Sequence, residues 1–201
     1  MKTTITTNRI IYSMLIILFA GLVSCSKSDD NNPAKPDESV TDADGNKYNT
    51  VKIGTQTWMV ENLKTTKYND GTPISNVTDN TQWANLITGA YVIYDNEESN
   101  NTTYGKLYNW YAVNTGKLAP KGWHISTDAE WATLRDYFGG TEAGGKMKST
   151  SLLWQSPNAD ATNNCGFTGL PGGLRQHTDG TFSSIGIYGD WWSATENRPR
   201  L

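Results

Sequence analysis

Two cysteines stand in the sequence, and the surroundings of Cys25 suit covalent chemistry. Lys2 and Arg9 are the only charges before Lys27, and residues 10–23 are apolar apart from Tyr12 and Ser13. The run ends in Leu22-Val23-Ser24-Cys25. A branched apolar residue, two small or apolar residues and then a cysteine read as a bacterial lipobox. The chemistry requires the thiol, because diacylglycerol is joined to it through a thioether before residues 1–24 are cut away. Fourteen residues make a signal-peptide core and fall short of the ~20 that cross a bilayer as a helix. The competing readings are an ordinary secretory signal that contains a cysteine, and a retained membrane helix. With lipid on Cys25, Cys165 is the one cysteine left in the mature chain, has no intramolecular disulfide, and is expected to be a small buried hydrophobe.

Other residues offer weaker chemistry. His124 lies between Trp123 and Ile125 and could act as a base or ligand, but no second histidine is near in sequence, so a hydrogen-bonded structural role competes. His177 sits beside the Asp179-Gly180 turn and is expected to be exposed. Trp191 and Trp192 are adjacent in a strand-like piece, where a period of two sends one ring inward and one outward. The outward ring could stack on a sugar, against the alternative of plain packing. Trp110, Trp123 and Trp131 are expected in the core. Glu61, Glu130 and Glu196 could supply a glycosidase pair, although sequence gives no carboxylate separation. Residues 95–101 (DNEESNN) are oxygen-rich but lack the glycine and distal glutamate of a calcium loop. No zinc spacing, phosphate loop or Gly-x-Ser-x-Gly is present, so no catalytic residue, metal or cofactor is assigned.

These groups must be held by a domain of ordinary size. Residues 25–201 suffice for one core. The chain carries formal charge −3; Lys2 and Arg9 supply +2 of it, leaving −5 for residues 25–201. An acidic balance argues against nucleic acid. Eight Trp, ten Tyr and nineteen Gly suggest a loop-rich β domain with aromatic packing. Residues 25–41 are polar and contain two prolines, as expected of a lipidated, disordered tether. Its start, with Lys27, Asp29 and Asp30, resembles the acidic surface-export signal of lipoproteins in Bacteroidetes-type bacteria; the plain alternative is a solvated linker.

The globular part is expected from Asp42 to Leu201. Asp44-Gly45-Asn46 is a turn, and Val51 and Ile53 lead through Gly54-Thr55 into Trp58 and Val60 as a hairpin with a II′ turn. Residues 64–103 read as long loops with a short strand at 90–94. Leu107, Trp110 and Tyr111 are spaced for a short helix. Thr127-Asp128-Ala129-Glu130 is a capping box, and Trp131, Leu134 and Phe138 mark one face of the helix it opens. Gly139 stops that helix. Strand-like pieces follow at 166–170, 172–175, 181–188 and 191–195, and Asp179-Gly180 reads as a type I′ turn.

Five segments then carry a resemblance. They are 42–63 (DADGNKY, then VKIGTQTWMVENL from Val51), 104–113 (YGKLYNWYAV), 120–131 (PKGWHISTDAEW), 166–173 (GFTGLPGG) and 188–196 (YGDWWSATE). In this order they resemble the Fibrobacter succinogenes major paralogous domain, over nearly the whole of residues 42–196. The resemblance implies a secreted or surface domain of envelope lipoproteins. It also implies an α+β, C-type-lectin-like fold as in the formylglycine-generating group: a twisted antiparallel sheet with about two helices and long loops. Two departures stand out. Ala119 replaces a cysteine usual in the family, and further strands usually follow the Trp-Trp-Ser motif, so the C-terminal strands are expected to be missing. Formylglycine-generating activity, which needs a cysteine pair, is not expected.

The expectation is a lipid-anchored binding or adhesion module of the outer membrane, facing the cell surface. Its partners would be the membrane, through Cys25, and a glycan or protein, with Trp191, Trp192 and His124 as candidate contacts. The rivals are an envelope hydrolase acting on glycans and a structural envelope protein without a small-molecule site.

Overall fold

The computed structural model describes residues 37–196. Cys25 and the Lys27, Asp29, Asp30 segment lie outside the described residues. The fold is α+β, with its strands divided among three small sheets. Among the described residues there are five short α-helices, where about two were expected.

The first sheet is antiparallel, in the order β1 (Asp37–Thr41), β2 (Lys47–Ile53), β3 (Gln56–Met59). β1 lies inside the stretch expected to be tether, and Val40 is buried there. The β2–β3 hairpin closes as expected, with Ile53 opposite Gln56. Gly54 has φ +60, which is the first position of a II′ turn and suits glycine. Before β2, the Asp42 carboxylate accepts from the Asp44 and Asn46 amides and from the Tyr48 hydroxyl. Asp44 reaches forward to the Thr66 amide and hydroxyl and to Lys67 Nζ, so the turn is tied to residues 65–67.

The second sheet joins β4 (Ser75–Asn76), β5 (Ala90–Val92) and β6 (Leu107–Tyr108); β4 and β5 are parallel. Around it lie α1 (Asn80–Ala84), α2 (Glu98–Tyr104) and α3 (Trp110–Val113). The segment 64–103 is therefore more regular than expected. The oxygen-rich run 95–101 largely becomes α2, and Asn101 Nδ2 donates to Glu98 Oε1 within it.

α4 (Asp128–Tyr137) starts where the capping box places it: the Glu130 amide donates to Thr127 Oγ1 and the Thr127 amide to Glu130 Oε2. Leu134 and Phe138 are buried with Ile53, Trp58 and Phe167, and Trp131 packs at the edge of this cluster. Burial of each large apolar side chain contributes about 1.5–3 kcal/mol, which anchors α4 on the first sheet. Gly139 leaves the helix at φ +92. α5 (Ala143–Met147) follows.

The third sheet pairs β7 (Gly172–Arg175) with β8 (Phe182–Ile185). Its loop is longer than the type I′ turn read from Asp179-Gly180. Arg175 pairs with Phe182, and of the two turn residues only Gly180 takes positive φ. Residues 166–170 contribute a single bridge at Gly169. Residues 191–195 are not a strand. Their polar groups bond sideways to the first turn of α4 and to side chains rather than into a ladder: the Ala194 amide donates to Ser126 O, and the Asp128 amide to Thr195 Oγ1.

Candidate functional site

The three sheets and α4 surround an open cleft of about 1150 Å³. Trp58, Trp110, Trp123, Trp131, Trp191 and Trp192 line it. Five of these were expected either to be core or to alternate in and out. Instead Trp110, Trp123 and Trp131 are half-buried, each with surface on the cleft. Trp191 and Trp192 are 39% and 46% exposed, so neither ring is fully inward. The strand alternation fails here because the segment crosses the domain as a strap.

The strap is held by its indoles. Trp192 Nε1 donates to Tyr108 O at 2.7 Å, and its ring packs 5.8 Å from Trp110. Trp191 Nε1 donates to Asn62 Oδ1 at 3.1 Å, and its ring lies 5.9 Å from Phe167 and 6.4 Å from Trp131. Trp131 Nε1 donates back to Trp192 O at 3.2 Å, and its ring sits 4.8 Å from Trp58. Each of these three indole N–H groups therefore has a partner, and the aromatic surfaces are fixed in place while part of each remains open.

Polar groups rim the rings. His124 is exposed, and its Nε2 lies 2.8 Å from Glu130 Oε1. Glu130 also accepts from the Thr127 amide and hydroxyl. The Thr127 amide, against some desolvation, and the His124 and Thr127 side chains hold this carboxyl below the usual glutamate range. Glu61 faces the same cleft, with both oxygens engaged by the Asn49 amide and side chain. His177 is exposed, as expected, and also lines the cleft. Among the described residues no group of three or more His, Cys, Asp or Glu is placed to hold a metal, and no helix is long and apolar enough to cross a membrane.

The model of the Fibrobacter succinogenes major domain matches residues 51–200. The chain belongs to this family. The matched span includes every Trp of the cleft and the strap. No curated protein and no solved structure matches the chain.

Several residues that shape this major domain were not singled out from sequence. Asn62 and Phe167 hold Trp191; both lie inside family segments, but nothing local marks them as its partners. Arg175 is buried, donates to Gly180 O, Val77 O, Thr78 O and Asn80 Oδ1, and sits between the Trp83 and Phe182 rings. Cys165 is half-buried against the α4 cluster and is disulfide-bonded, whereas the expectation of a cysteine without a disulfide was for the chain with lipid on Cys25. The other cysteine of the sequence, Cys25, lies outside the described residues.

Proposed function

We propose that this domain is a lipid-anchored envelope module that binds a glycan in the tryptophan cleft. The observation that carries the reading is the pair of half-exposed indoles at Trp191 and Trp192, each pinned at the cleft wall by its own N–H. Sugars present flat C–H faces that pack on indole and hydroxyl edges that bond to polar rims, and rigid aromatic surfaces lose little entropy on binding. His124, Glu61 and His177 supply such a rim.

Hydrolysis is the less supported rival. A glycosidase acid needs a carboxyl raised toward neutrality, whereas Glu130 is held low by its cap and by His124. The anchor and the surface location are part of the same proposal and rest on residues 10–30 of the sequence. A thioether on Cys25 leaves that sulfur unable to pair with Cys165, so lipidation and a bond between the two cysteines are alternative states that intact mass separates.

The test is a glycan array probed with the full chain, alongside a hydrolysis assay on the same glycans. Binding without turnover, lost at least tenfold in Trp192→Ala while the thermal melt remains cooperative, is the expected result. Turnover would establish a hydrolase. Neither binding nor turnover would leave a structural envelope protein.

A further inference from the structure

The cleft does not end at Trp191. A second depression, of about 680 Å³, opens beyond the same ring, and Trp191 and Gly169 line both. Glycines set the ring at this junction. A Cβ on Gly189 would come within 2.6 Å of Trp191 Cη2 and 2.5 Å of Leu170 O, and one on Gly169 within 3.2 Å of Trp191 Cη2. Both distances at Gly189 are shorter than real Cβ contacts, so the ring tip occupies space that only glycine leaves.

The second depression repeats the chemistry of the first with different residues. Trp154 is fixed by its Nε1 donating to Gly169 O at 3.1 Å, with Lys148 Nζ 5.1 Å from its ring centre. Tyr188 lines the same wall and is 60% exposed. Asn158 is held by Nδ2 donating to Ser149 O at 2.9 Å, while its Oδ1 is buried with no hydrogen-bond partner among the described residues. Buried side-chain acceptors are nearly always paired, but this oxygen has no open surface, so it belongs to the packed wall of the depression.

We propose that the two depressions form one groove for an oligosaccharide of β-linked, equatorially substituted pyranoses, with a second subsite at Trp154 and Tyr188. This rests on the glycan reading of the first cleft. One sugar cannot touch surfaces on both sides of Trp191, whereas a chain can. Equatorial substitution keeps C–H faces clear for Trp154 and Tyr188 and puts the hydroxyls at the ring edge.

Calorimetry on the full chain with cello- and chito-oligosaccharides of two and six units tests this. The hexamer of at least one series is expected to bind at least tenfold tighter than its dimer, more than the several-fold gain that extra binding registers alone provide. Tyr188→Ala, an exposed change, is expected to reduce hexamer affinity to that of the dimer and to leave dimer affinity within twofold. Hexamers no tighter than dimers would overturn the second subsite and leave the first cleft standing. So would an equal loss at both lengths in Tyr188→Ala. Absence of binding at either length would overturn the glycan reading and this extension together.

Discussion

Replacing Arg175 measures how the β7–β8 hairpin is attached to the rest of the domain. Its guanidinium makes four hydrogen bonds, to Gly180 O at 2.8 Å, Val77 O at 2.6 Å, and Thr78 O and Asn80 Oδ1 at 2.9 Å each. The Trp83 and Phe182 ring centres lie 4.6 and 4.8 Å from its central carbon. No carboxylate among the described residues forms an ion pair with it, so the positive charge is held by carbonyl dipoles and π faces, with Asp79 acting on it from a distance. Burial lowers its pKa from the ordinary arginine value, but arginine stays charged at any working pH. In Arg175→Leu the fate of the acceptors decides the cost. Thr78 and Asn80 are exposed and can turn to water, whereas Gly180 is buried. One buried orphan carbonyl costs about 1–3 kcal/mol, and losing the cation between two rings adds about 1 kcal/mol or more. Part of this is returned because a guanidinium no longer has to be desolvated. The expected net loss is about 1–3 kcal/mol. Arg175→Lys keeps the charge and one carbonyl bond but loses the planar fork, and is expected to cost about half as much. Urea unfolding followed by tryptophan fluorescence reads both variants. A loss below about 0.5 kcal/mol in Arg175→Leu, or equal losses in the two variants, would refute the clamp.

Thr127→Ala is expected to cost about 1 kcal/mol through loss of the α4 cap, and Trp131→Ala about 2–3 kcal/mol, since its half-buried ring gives up packing on the cluster; thermal melts in the reverse order would contradict the placement of the helix. Asp44 feels some desolvation, which raises its pKa, but the Thr66 amide and hydroxyl and Lys67 outweigh it and bring the pKa from 3.8 to about 2. A depressed folded pKa stabilises above the ordinary value and is lost as pH falls through the folded one, so stability should decline between about pH 4 and pH 2; Asp44→Asn should flatten that part of the acid titration followed by circular dichroism. Gly189→Ala is expected to displace the Trp191 ring, seen as a changed indole N–H resonance in the NMR spectrum, while a spectrum unchanged from the parent would show that the strap has room to spare. Cys25→Ser is expected to abolish incorporation of a fatty-acid analogue, and label kept by the variant would sink the lipobox. Alanine at Lys27, Asp29 and Asp30 together is expected to retain the label but protect the domain from protease added to intact cells, and undiminished cleavage would reduce the segment to a plain tether.

What could be read from sequence was local. The α4 cap needs only Thr127 and Glu130, three residues apart, because one helical turn brings the hydroxyl to the N3 amide whatever surrounds it. The β2–β3 hairpin needs only Gly54 at positive φ between two alternating segments. The five family segments were legible for the same reason, as short strings of residues. Position in space was not. Strand propensity in Trp191-Trp192 misled because aromatic residues suit a pleated sheet and a packed strap equally well, and the choice between them was made by Tyr108, Asn62 and Ser126. Trp191 meets Asn62 across 129 residues and Arg175 meets Val77 across 98. No spacing rule reaches that far, since such contacts depend on how whole elements dock. The capping box, the hairpin and the family motifs therefore belong to the sequence alone. The tryptophan cleft, the arginine clamp and the groove on both sides of Trp191 exist only once the three sheets and α4 have packed, because burial and long-range hydrogen bonds choose among conformations that local propensity leaves nearly equal.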